Sequence, residues 1–495
     1  MQHNVAHLLS SAAARRPDHL AIEDPTAPDG RCSYAELQAL AAGFVAAYRA
    51  RGLQRGDRVA ILLDRGAAAA AAILAAHAEG AIAVVINERL RVRQVEHILA
   101  DCAPAVLVSS EEMLARAALP RTQVPPLLEP LSVAPGGEFA PQVVQPQDPA
   151  QIIYTSGSTG LPKGVVHTHG SVAAGVATTH RYLMLRSDDR VASLLAFSAV
   201  YGLNQLLCSI AVGSTLVIER AVFPADLVQA LRADQISIAA GVPPLWSQLV
   251  GVEAFQLPIP SLRQMQNAGG HLPAETAKRL RAAQPQAELV LQYGMTETWR
   301  GSYLPPEEFD RRPGSMGRAV PGAELLVTRE DGTLCDVDEV GELVHLGPTV
   351  AAGYWGGRGD AQQVFRPHPA RPGVPAVHSG DYVKRDADGF LYYVGRRDRV
   401  IKTQGLKVGP DEVADALLHS GQLSEVVVAG EADAERGQRI VAYVVLAPGG
   451  TLAALRKHAR AELPPHMQPA RFVERSELPR LASGKYDVEG LLRGE

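Results

Sequence analysis

Apolar and polar segments alternate along the first 110 residues in the pattern of a parallel sheet covered by helices. The stretch YAELQALAAGFVAAYRARGL, residues 34–53, has apolar positions at helical spacing, whereas RVAILL and AVLVSS predict strands. Residues 66–86 are the most apolar, but His77, Glu79 and Gly80 interrupt them, which favours a helix followed by a strand over a membrane span. This alternation is typical of βαβ units.

The hydrophobic pattern changes further along the chain. Prolines cluster between residues 121 and 150 and predict an irregular connection. Short apolar segments separated by Gly and Pro turns, within residues 313–356, predict an antiparallel subdomain. After residue 397 one helical pattern and two strand patterns follow. We therefore predict an α/β N-terminal domain, residues 1–397, of layered parallel sheets plus a small antiparallel subdomain, and a small mobile α+β C-terminal domain, residues 398–495.

Composition narrows the classes of function. The 495 residues carry a formal net charge of -5, which argues against phosphate-backbone binding and hence against a nucleic-acid partner. The four cysteines are far apart in sequence and predict free buried thiols rather than a zinc site or a disulfide framework. The N-terminal residues lack the pattern of a signal peptide. We therefore expect a cytoplasmic enzyme that acts on small molecules and has no membrane partner.

The stretch YTSGSTGLPKG, Tyr154 to Gly164, has the chemistry of a polyphosphate cradle. Its glycines let the backbone turn sharply and present N–H groups to phosphate oxygens, its hydroxyls add donors, and its lysine adds a mobile positive charge. Apolar residues on both sides predict strand, loop and strand rather than a flexible linker. The spacing is not that of the Walker motif. The candidate ATP-binding residues here are Thr155, Ser156, Gly157, Ser158, Thr159, Gly160 and Lys163.

These eleven residues resemble the phosphate-binding signature of the adenylate-forming superfamily, which includes acyl-CoA and aryl-CoA ligases, peptide-synthetase adenylation domains and luciferases. Three later segments resemble further motifs of that family in the same order. They are LQYGMTET at residues 291–298, HSGDYVKRDADGFLYYVGRRDRVIKTQG at residues 378–405, and LPRLASGKYD around Lys485. An ordered set of motifs is far more specific than any of them alone.

The resemblance implies roles for individual residues in ATP binding and catalysis. Tyr293 would flank the adenine, Thr296 would contact the α-phosphate, and Glu297 would hold Mg²⁺, which typically takes one or two protein carboxylates. Asp381 would accept from the ribose hydroxyls and Arg396 would reach the ribose or the phosphates. The further ATP-binding candidates are Gly270, His271, Gln292 and Gly294. The implied catalytic set is Lys485, Lys163, Thr296 and Glu297, with Lys485 serving adenylation.

The turn FSAVYGL, residues 197–203, is the candidate wall of the pocket for the carboxylic acid, because ligands of open α/β sheets gather at the carboxyl ends of strands. Peptide-synthetase domains carry an aspartate here, and its absence disfavours an α-amino acid. Ala199 also departs from the histidine of many CoA ligases. The small Ala199 and Gly202 favour an apolar, aromatic or medium-chain acid. The pocket candidates are Ser198, Ala199, Tyr201, Gly202, Gly269, Gly294 and Met295.

The resemblance also implies a two-step reaction with domain rotation. Asp398 falls on the hinge of the family, and Lys402 and Gly405 would form the face that admits the acceptor thiol. The predicted function is ATP- and Mg²⁺-dependent activation of a carboxylic acid as an acyl-adenylate, followed by transfer to a thiol. That thiol would belong to CoA or to an acyl carrier protein.

Two alternatives remain open from the sequence. An amide-bond synthetase would use the same first step and an amine as acceptor. A non-catalytic nucleotide-binding protein would keep the fold alone, although the intact set Lys163, Glu297, Asp381, Arg396 and Lys485 argues against it. A homodimer is the default expectation for a soluble oligomer.

Overall fold

The computed structural model is a mixed α/β structure. It describes residues 3–27, 30–121, 124–156, 162–357, 361–397, 399–403, 406–433, 437–480 and 486–494. The strands, in chain order, are β1 Leu20–Glu23, β2 Arg31–Ser33, β3 Arg58–Ile61, β4 Ile82–Val85, β5 Val106–Val108, β6 Leu127–Leu128, β7 Pro149–Ser156, β8 Pro162–Thr168, β9 Arg190–Ser193, β10 Thr215–Ile218, β11 Ile238–Gly241, β12 Gln264–Asn267, β13 Glu288–Tyr293, β14 Ser302–Leu304, β15 Ser315–Ala319, β16 Glu324–Thr328, β17 Gly341–Leu346, β18 Gly353–Tyr354, β19 Ala376–Arg385, β20 Leu391–Arg396, β21 Ile401–Thr403, β22 Leu406–Val408, β23 Leu423–Asp433, β24 Gly437–Leu446 and β25 Arg471–Glu474.

The helices lie mostly between consecutive strands, as a parallel sheet requires. They are α1 His7–Arg15, α2 Tyr34–Ala50, α3 Ala67–Ala78, α4 Val92–Cys102, α5 Glu111–Arg116, α6 His169–Leu183, α7 Val200–Val212, α8 Pro224–Ala233, α9 Pro243–Leu249, α10 Ala274–Ala283, α11 Ala361–Val364, α12 Pro410–Leu418, α13 Leu452–Glu462 and α14 Val488–Arg493. No described helix is both long and apolar enough to cross a membrane.

Local capping signals explain where several helices begin. The Ser33 hydroxyl accepts from the Glu36 N–H and the Glu36 carboxylate accepts from the Ser33 N–H, a capping box that starts α2. Thr168 and Ser171 form the same arrangement at the start of α6. α12 begins with Pro410, whose missing N–H costs nothing in the first helical turn.

Two large sheets organise the described residues before position 398. In the first, the strands β1, β10, β9, β11, β12 and β13 are parallel neighbours, and β14, β15, β20, β19, β17 and β16 continue it in antiparallel pairing. In the second, β6, β5, β3, β4 and β7 are parallel, and β8 and β18 follow antiparallel. The predicted α/β class with layered parallel sheets and an antiparallel subdomain is therefore confirmed.

The largest hydrophobic core joins the two sheets. Side chains from α2, α3, α6 and α7 meet there with strand residues of both sheets, among them Ile61, Val85 and Leu216. α3 is the predicted alanine-rich helix, and it is buried from Ala69 to Ala78. Because alanine adds little side-chain volume, this helix packs closely on every side.

A smaller, mostly antiparallel sheet follows residue 398, as the α+β pattern predicted. β22, β21, β24 and β23 are antiparallel neighbours in this order, and β25 pairs with β24 in parallel. The sheet and the helices α12 and α13 share a core of their own that contains Ile401, Val413 and Leu455. Asp398 lies outside the described residues, so the domain boundary at this position stays a prediction.

Two local predictions need correction. The proline-rich connection contains the short strand β6 and a 3₁₀ turn at Pro130–Ser132, because Leu127 and Leu128 pair with β5 at the edge of the sheet. The turn predicted at residues 197–203 is shorter, since α7 begins at Val200. Tyr201 and Gly202 therefore lie in the first turn of a helix.

Candidate active site

The predicted phosphate loop lies at the end of the hairpin formed by β7 and β8. Thr155 is opposite Lys163, and Ser156 is opposite Pro162. The Gly157, Ser158, Thr159 and Gly160 of the predicted cradle lie outside the described residues, so their phosphate contacts stay predictions.

The hairpin is fixed by close packing at Gly164. A Cβ at this position would lie 2.6 Å from Cγ2 of Ile152 and 3.1 Å from the ring of Tyr154, so glycine is the residue that fits. The Tyr154 hydroxyl donates to Asp101 Oδ2 at 2.6 Å, and the Trp355 indole donates to the Asp101 carbonyl at 3.0 Å. These bonds hold the base of the loop against α4.

Glu297 and Lys163 contact the same tyrosine. The Tyr354 hydroxyl donates to Glu297 Oε1 at 2.8 Å, and Lys163 Nζ lies 5.8 Å from the centroid of the Tyr354 ring. Glu297 is 9% exposed, and its backbone carbonyl accepts from Ala351 at 2.8 Å. One residue of β18 thus holds the predicted metal-binding carboxylate close to the predicted phosphate-binding cation.

His167 positions the neighbouring Thr296. Burial lowers the pKa of His167 to about 4, although the hydrogen bond to the Thr296 carbonyl raises it, so the imidazole is neutral at pH 7. His167 Nε2 donates to that carbonyl at 2.7 Å, which leaves Nδ1 to accept from the Ser171 hydroxyl at 3.3 Å. The start of the 3₁₀ turn Thr296–Thr298 is therefore anchored to the end of β8.

Tyr293 and Asp381 are brought together from positions 88 residues apart. Tyr293 ends β13, and its hydroxyl donates to Asp381 Oδ2. Burial, reinforced by the negative charge of Asp381, raises the pKa of Tyr293 well above its ordinary value, so the phenol stays protonated. Arg396 Nη1 lies 3.3 Å from Asp381 Oδ1, since the two residues are paired across β19 and β20. The residues predicted to contact the adenine and the ribose, Tyr293, Asp381 and Arg396, therefore lie together.

The aromatic face of Tyr293 is also occupied on one side. The His345 ring stacks on it with a centroid separation of 5.6 Å and an interplanar angle of 27°. Burial lowers the pKa of His345 to about 3, so this ring is neutral. A neutral aromatic support fixes the Tyr293 ring without adding charge.

The residues predicted to line the carboxylic-acid pocket lie before α7 and in its first turn. Ser198, before the helix, and Tyr201, within it, are 9% and 8% exposed, and the Tyr201 hydroxyl donates to the Gln266 carbonyl at 3.1 Å. Ala199 is exposed and precedes the helix. At Gly202 a Cβ would lie 2.2 Å from the Ala196 carbonyl oxygen. Gly202 is therefore small because the backbone of the preceding turn packs against it, and its size says little about the substrate.

The glycine segment after β12 packs beside the start of α9. Gly269 has a φ of 80°, in the region that favours glycine, and a Cβ on Gly270 would lie 3.2 Å from Pro243. His271 Nε2 lies 2.7 Å from Asp415 Oδ2 in α12. The imidazole thus contacts the segment after residue 398, and its predicted ATP contact stays a prediction.

Three other predicted residues surround the end of β13. Gln292 is buried and accepts from the Tyr182 hydroxyl at 2.5 Å. A Cβ on Gly294 would lie 3.2 Å from Cα of Arg300, so the chain folds back tightly at this point. Met295 directly precedes the 3₁₀ turn and is partly exposed.

Several predicted residues cannot be placed. Lys485, Asp398 and Gly405 lie outside the described residues, and Lys402 is a backbone member of β21. The catalytic, hinge and thiol-face roles of these residues stay predictions.

Sequence reasoning missed the contacts made by Tyr354 and His167. Tyr354 is 57 residues from Glu297, and His167 is 129 residues from Thr296. Both stand in segments next to matched motifs, VAAGYWG and KGVVHTHGS. A polar side chain beside a strand end could have marked each of them as a candidate site residue. No local pattern identifies the partner that each side chain contacts.

Comparison with known proteins places this geometry in a family. The model of the AMP-binding enzyme family matches residues 9–355, and the model of the AMP-binding enzyme C-terminal domain matches residues 412–485. The L-proline–[L-prolyl-carrier protein] ligase of Pseudomonas fluorescens is 31% identical over 97% of this chain and 97% of that protein. The benzoate–CoA ligase of Thauera aromatica is 32% identical over 88% of this chain and 85% of that protein.

A solved structure gives the same result in three dimensions. The o-succinylbenzoate coenzyme A synthetase of Bacillus subtilis, in complex with ATP and a magnesium ion, superposes with a TM-score of 0.84 at 25% identity, over 99% of this chain and 98% of that one. The chain belongs to the family of AMP-binding enzymes. Within it, the chain is an AMP-forming acid–thiol ligase of the acyl-CoA synthetase kind.

Proposed function

We propose that this enzyme uses ATP and Mg²⁺ to convert a carboxylic acid into an acyl-adenylate and then transfers the acyl group to the thiol of CoA or of a carrier protein. The observation that carries the proposal is the contact of Tyr354 with both Glu297 and Lys163. It holds a hard anionic ligand and a cation together beside the Tyr293–Asp381 group. Relatives support both acceptors, since one is named as a carrier-protein ligase and another as a CoA ligase.

The residues present fit a magnesium ion shared with the nucleotide. Glu297 is a single carboxylate, nearly buried, with one oxygen hydrogen-bonded to Tyr354. Mg²⁺ is commonly bound by one or two carboxylates with water and phosphate oxygens filling the other positions. When bound, the ion would neutralise phosphate charge. Tyr354 orients the carboxylate, because its hydrogen bond fixes the direction of one oxygen.

The first step requires negative groups to approach each other. A carboxylate oxygen of the acid attacks the α-phosphorus of ATP, the new O–P bond forms, and the bond to pyrophosphate breaks. In this proposal Lys163 and Lys485 provide positive charge where the negative carboxylate approaches the negative phosphates, as in phosphoryl transfer generally. An ammonium about 4 Å from an oxyanion stabilises it by roughly 4 kcal/mol at an effective dielectric constant near 20, or about three decades in rate.

The second step breaks the acyl-adenylate. The thiol sulfur attacks the carbonyl carbon, the C–S bond forms, the C–O bond to AMP breaks, and the thiol proton passes to solvent. We propose that rotation about Asp398 exchanges Lys485 for the face containing Lys402 and Gly405. Such gating lets one active site run two reactions in sequence.

Pyrophosphate release tests the proposed reaction. The purified chain is incubated with ATP, Mg²⁺ and a panel of fatty, aryl and amino acids, first alone and then with CoA or a carrier protein. We expect release with one class of acid and a thioester when the correct thiol is added. Release that yields an amide with amines and no thioester would overturn the thiol assignment. AMP binding without release on any acid would overturn the enzyme assignment.

Titration with Mg²⁺ tests the role of Glu297. Glu297→Gln keeps the size of the side chain and removes its charge, so the Mg²⁺ concentration for half-maximal activity should rise at least about tenfold. Tyr354→Phe should raise it less, because the carboxylate remains. Glu307→Gln changes an exposed glutamate and serves as the matched control. An unchanged Mg²⁺ requirement in Glu297→Gln would remove this residue from the metal site.

A further inference from the structure

Arg300 is a buried cation that pairs with no carboxylate in the part of the chain that the structure describes. Arg300 is only 3% exposed, yet among the described residues its side chain forms no ion pair. Nη1 donates to the Trp299 carbonyl at 3.1 Å and Nη2 donates to Asn204 Oδ1 at 3.2 Å, which are both neutral acceptors. Nε is buried, and no described residue accepts from it within 3.5 Å.

The guanidinium lies against the wall of the predicted acid pocket. Its Cζ is 4.6 Å from the centroid of the Tyr201 ring, and Tyr201 packs on Ala240 and Ala268 near the ends of β11 and β12. Asn204, which accepts from Arg300, lies one helical turn after Tyr201 in α7. The cation is therefore placed against α7, beside the predicted pocket residue Tyr201.

A second donor without an acceptor belongs to the same cluster. Gln292 uses Oε1 to accept from Tyr182, and no described residue accepts from its buried Nε2 within 3.5 Å. Burial raises the pKa of Tyr182 to about 12, while the nearby charge of Arg300 opposes that rise. Arg300 Nε and Gln292 Nε2 are both donors, so what the cluster lacks is a group that only accepts.

The backbone holds Arg300 in this position. Trp299 has a φ of 64° and a ψ of -62°, which is unfavourable for a bulky residue. The strain persists because the indole is fully buried, packs against the His167 ring at 5.1 Å, and leaves no room for a Cβ at Gly175. This locked turn directs the next residue, Arg300, towards α7.

An unpaired buried charge is strongly unfavourable in a protein interior. Neutral acceptors satisfy two of the guanidinium nitrogens but leave its charge uncompensated. A ligand that brings a carboxylate would supply both the missing acceptor atoms and the missing negative charge, and Arg favours such planar partners.

We propose that the acid activated by this enzyme carries a second anionic group, in the simplest case a second carboxylate, which Arg300 binds beside Tyr201 and Asn204 of α7. This inference rests on the proposed function of the site and names its substrate class. It replaces the apolar substrate predicted from the small residues at 199 and 202.

Matched pairs of acids test the proposal. Hexanoate is compared with adipate, and benzoate with the three benzenedicarboxylates, in pyrophosphate release and in calorimetric binding to the full chain. We expect kcat/KM for at least one diacid to exceed that of its matched monoacid tenfold or more. Arg300→Gln should lower kcat/KM for the diacid by about 30-fold or more, and so reduce the ratio of the diacid kcat/KM to the monoacid kcat/KM. Arg281→Gln, an arginine paired with Asp310 at the surface, should leave the ratio unchanged.

Asn204→Asp provides a second variant that preserves packing. It would place a carboxylate within hydrogen-bond distance of the guanidinium and neutralise it from inside the protein. We expect a higher thermal midpoint together with a loss of diacid binding. If instead diacid binding survives in both Arg300→Gln and Asn204→Asp, Arg300 does not bind the second anion.

The two assignments fail in different ways. Suppose that monoacids give pyrophosphate release at least as fast as diacids, and that Arg300→Gln does not change the ratio of the two rates. That result would overturn the substrate class and leave the ligase reaction intact. Diacid binding that depends on Arg300 but produces no pyrophosphate would support the substrate class and overturn the reaction. Absence of diacid binding to the wild-type chain would overturn the inference.

Discussion

His271 Nε2 lies 2.7 Å from Asp415 Oδ2, and this bond joins the loop after β12 to helix α12. Burial alone would lower the pKa of His271. The hydrogen bond from the ring to Asp415 and the charges of Asp415 and Asp411 together raise it by more than burial lowers it, so the pKa lies above 6.5. The imidazolium is thus favoured while the contact is formed.

The first prediction concerns the pH dependence of this contact. The pKa of His271 is raised when the contact with Asp415 forms. The contact therefore stabilises the association of the two segments fully below pH 6.5, and this stabilisation is lost as pH rises through the raised pKa. Asp411 and Arg399 also face this group, and burial raises the pKa of Asp411. Energy transfer between fluorophores on α10 and α13 should therefore report separation of the two segments as pH rises above 6.5 and passes the raised pKa of His271.

Two substitutions make that experiment specific. Asp415→Asn removes the charge that holds the imidazolium and should flatten the pH dependence. His419→Gln changes an exposed histidine after α12 and should leave it as in the wild type. A transition that survives in Asp415→Asn would assign the pH effect to other groups.

The second prediction concerns Lys485. If this lysine stabilises the developing charge in adenylation, Lys485→Ala should lower acid-dependent pyrophosphate release by about three decades while ATP binding changes little. Pyrophosphate assays and ATP titration calorimetry measure the two quantities. Lys457→Ala, at an exposed position of α13, is the control. Release at a near wild-type rate in Lys485→Ala would show that its assignment is wrong.

The third prediction separates the two half-reactions. Proline fixes φ near -65°, so Asp398→Pro should block the rotation that the thiol step requires and spare acyl-adenylate formation. Asp398→Ala retains rotational freedom and should support both steps. The measurement compares the rate of pyrophosphate release with that of thioester formation. A parallel loss of both rates in Asp398→Pro would argue against a hinge at this residue.

The fourth prediction concerns stability. A Cβ at Gly175 would lie 2.3 Å from Cδ1 of Trp299. Gly175→Ala should gain about 1 kcal/mol of helix propensity, yet overpacking of this kind costs about 1–3 kcal/mol, and the buried indole has no room to move. We expect a net loss of about 1 kcal/mol in the free energy of unfolding, or more. Denaturant unfolding measures it.

A reverse substitution in the same helix provides the comparison. Ala173 is exposed in α6, so Ala173→Gly should cost about 1 kcal/mol through propensity alone. If Gly175→Ala stabilises the protein, the Trp299 ring has an alternative position, and the turn that directs Arg300 is less constrained than its packing implies.

Much of the fold was predictable because its signals are local. The alternation of apolar segments predicted the parallel strands, and α3 with β4 occurs where the alanine-rich run indicated. The strand β6 was missed, since two residues at the edge of a sheet have no periodicity of their own. The early start of α7 was missed for a similar reason, because an exposed alanine precedes it without a side-chain cap.

The sequence by itself determined the chemistry that depends on contiguous residues. Tyr293, Thr296 and Glu297 stand within five positions of one another, so their short spacing and the order of the motifs were enough to propose a nucleotide site. Tertiary structure alone decided that Tyr354 joins Glu297 to Lys163, that His271 meets Asp415, and that Arg300 is buried without a negative partner among the residues that the structure describes. Chain neighbours are held within a few ångströms by covalent geometry. Partners dozens of residues apart meet only where packed sheets and helices bring them, and burial, which decides the energy of a charge, exists only after that packing.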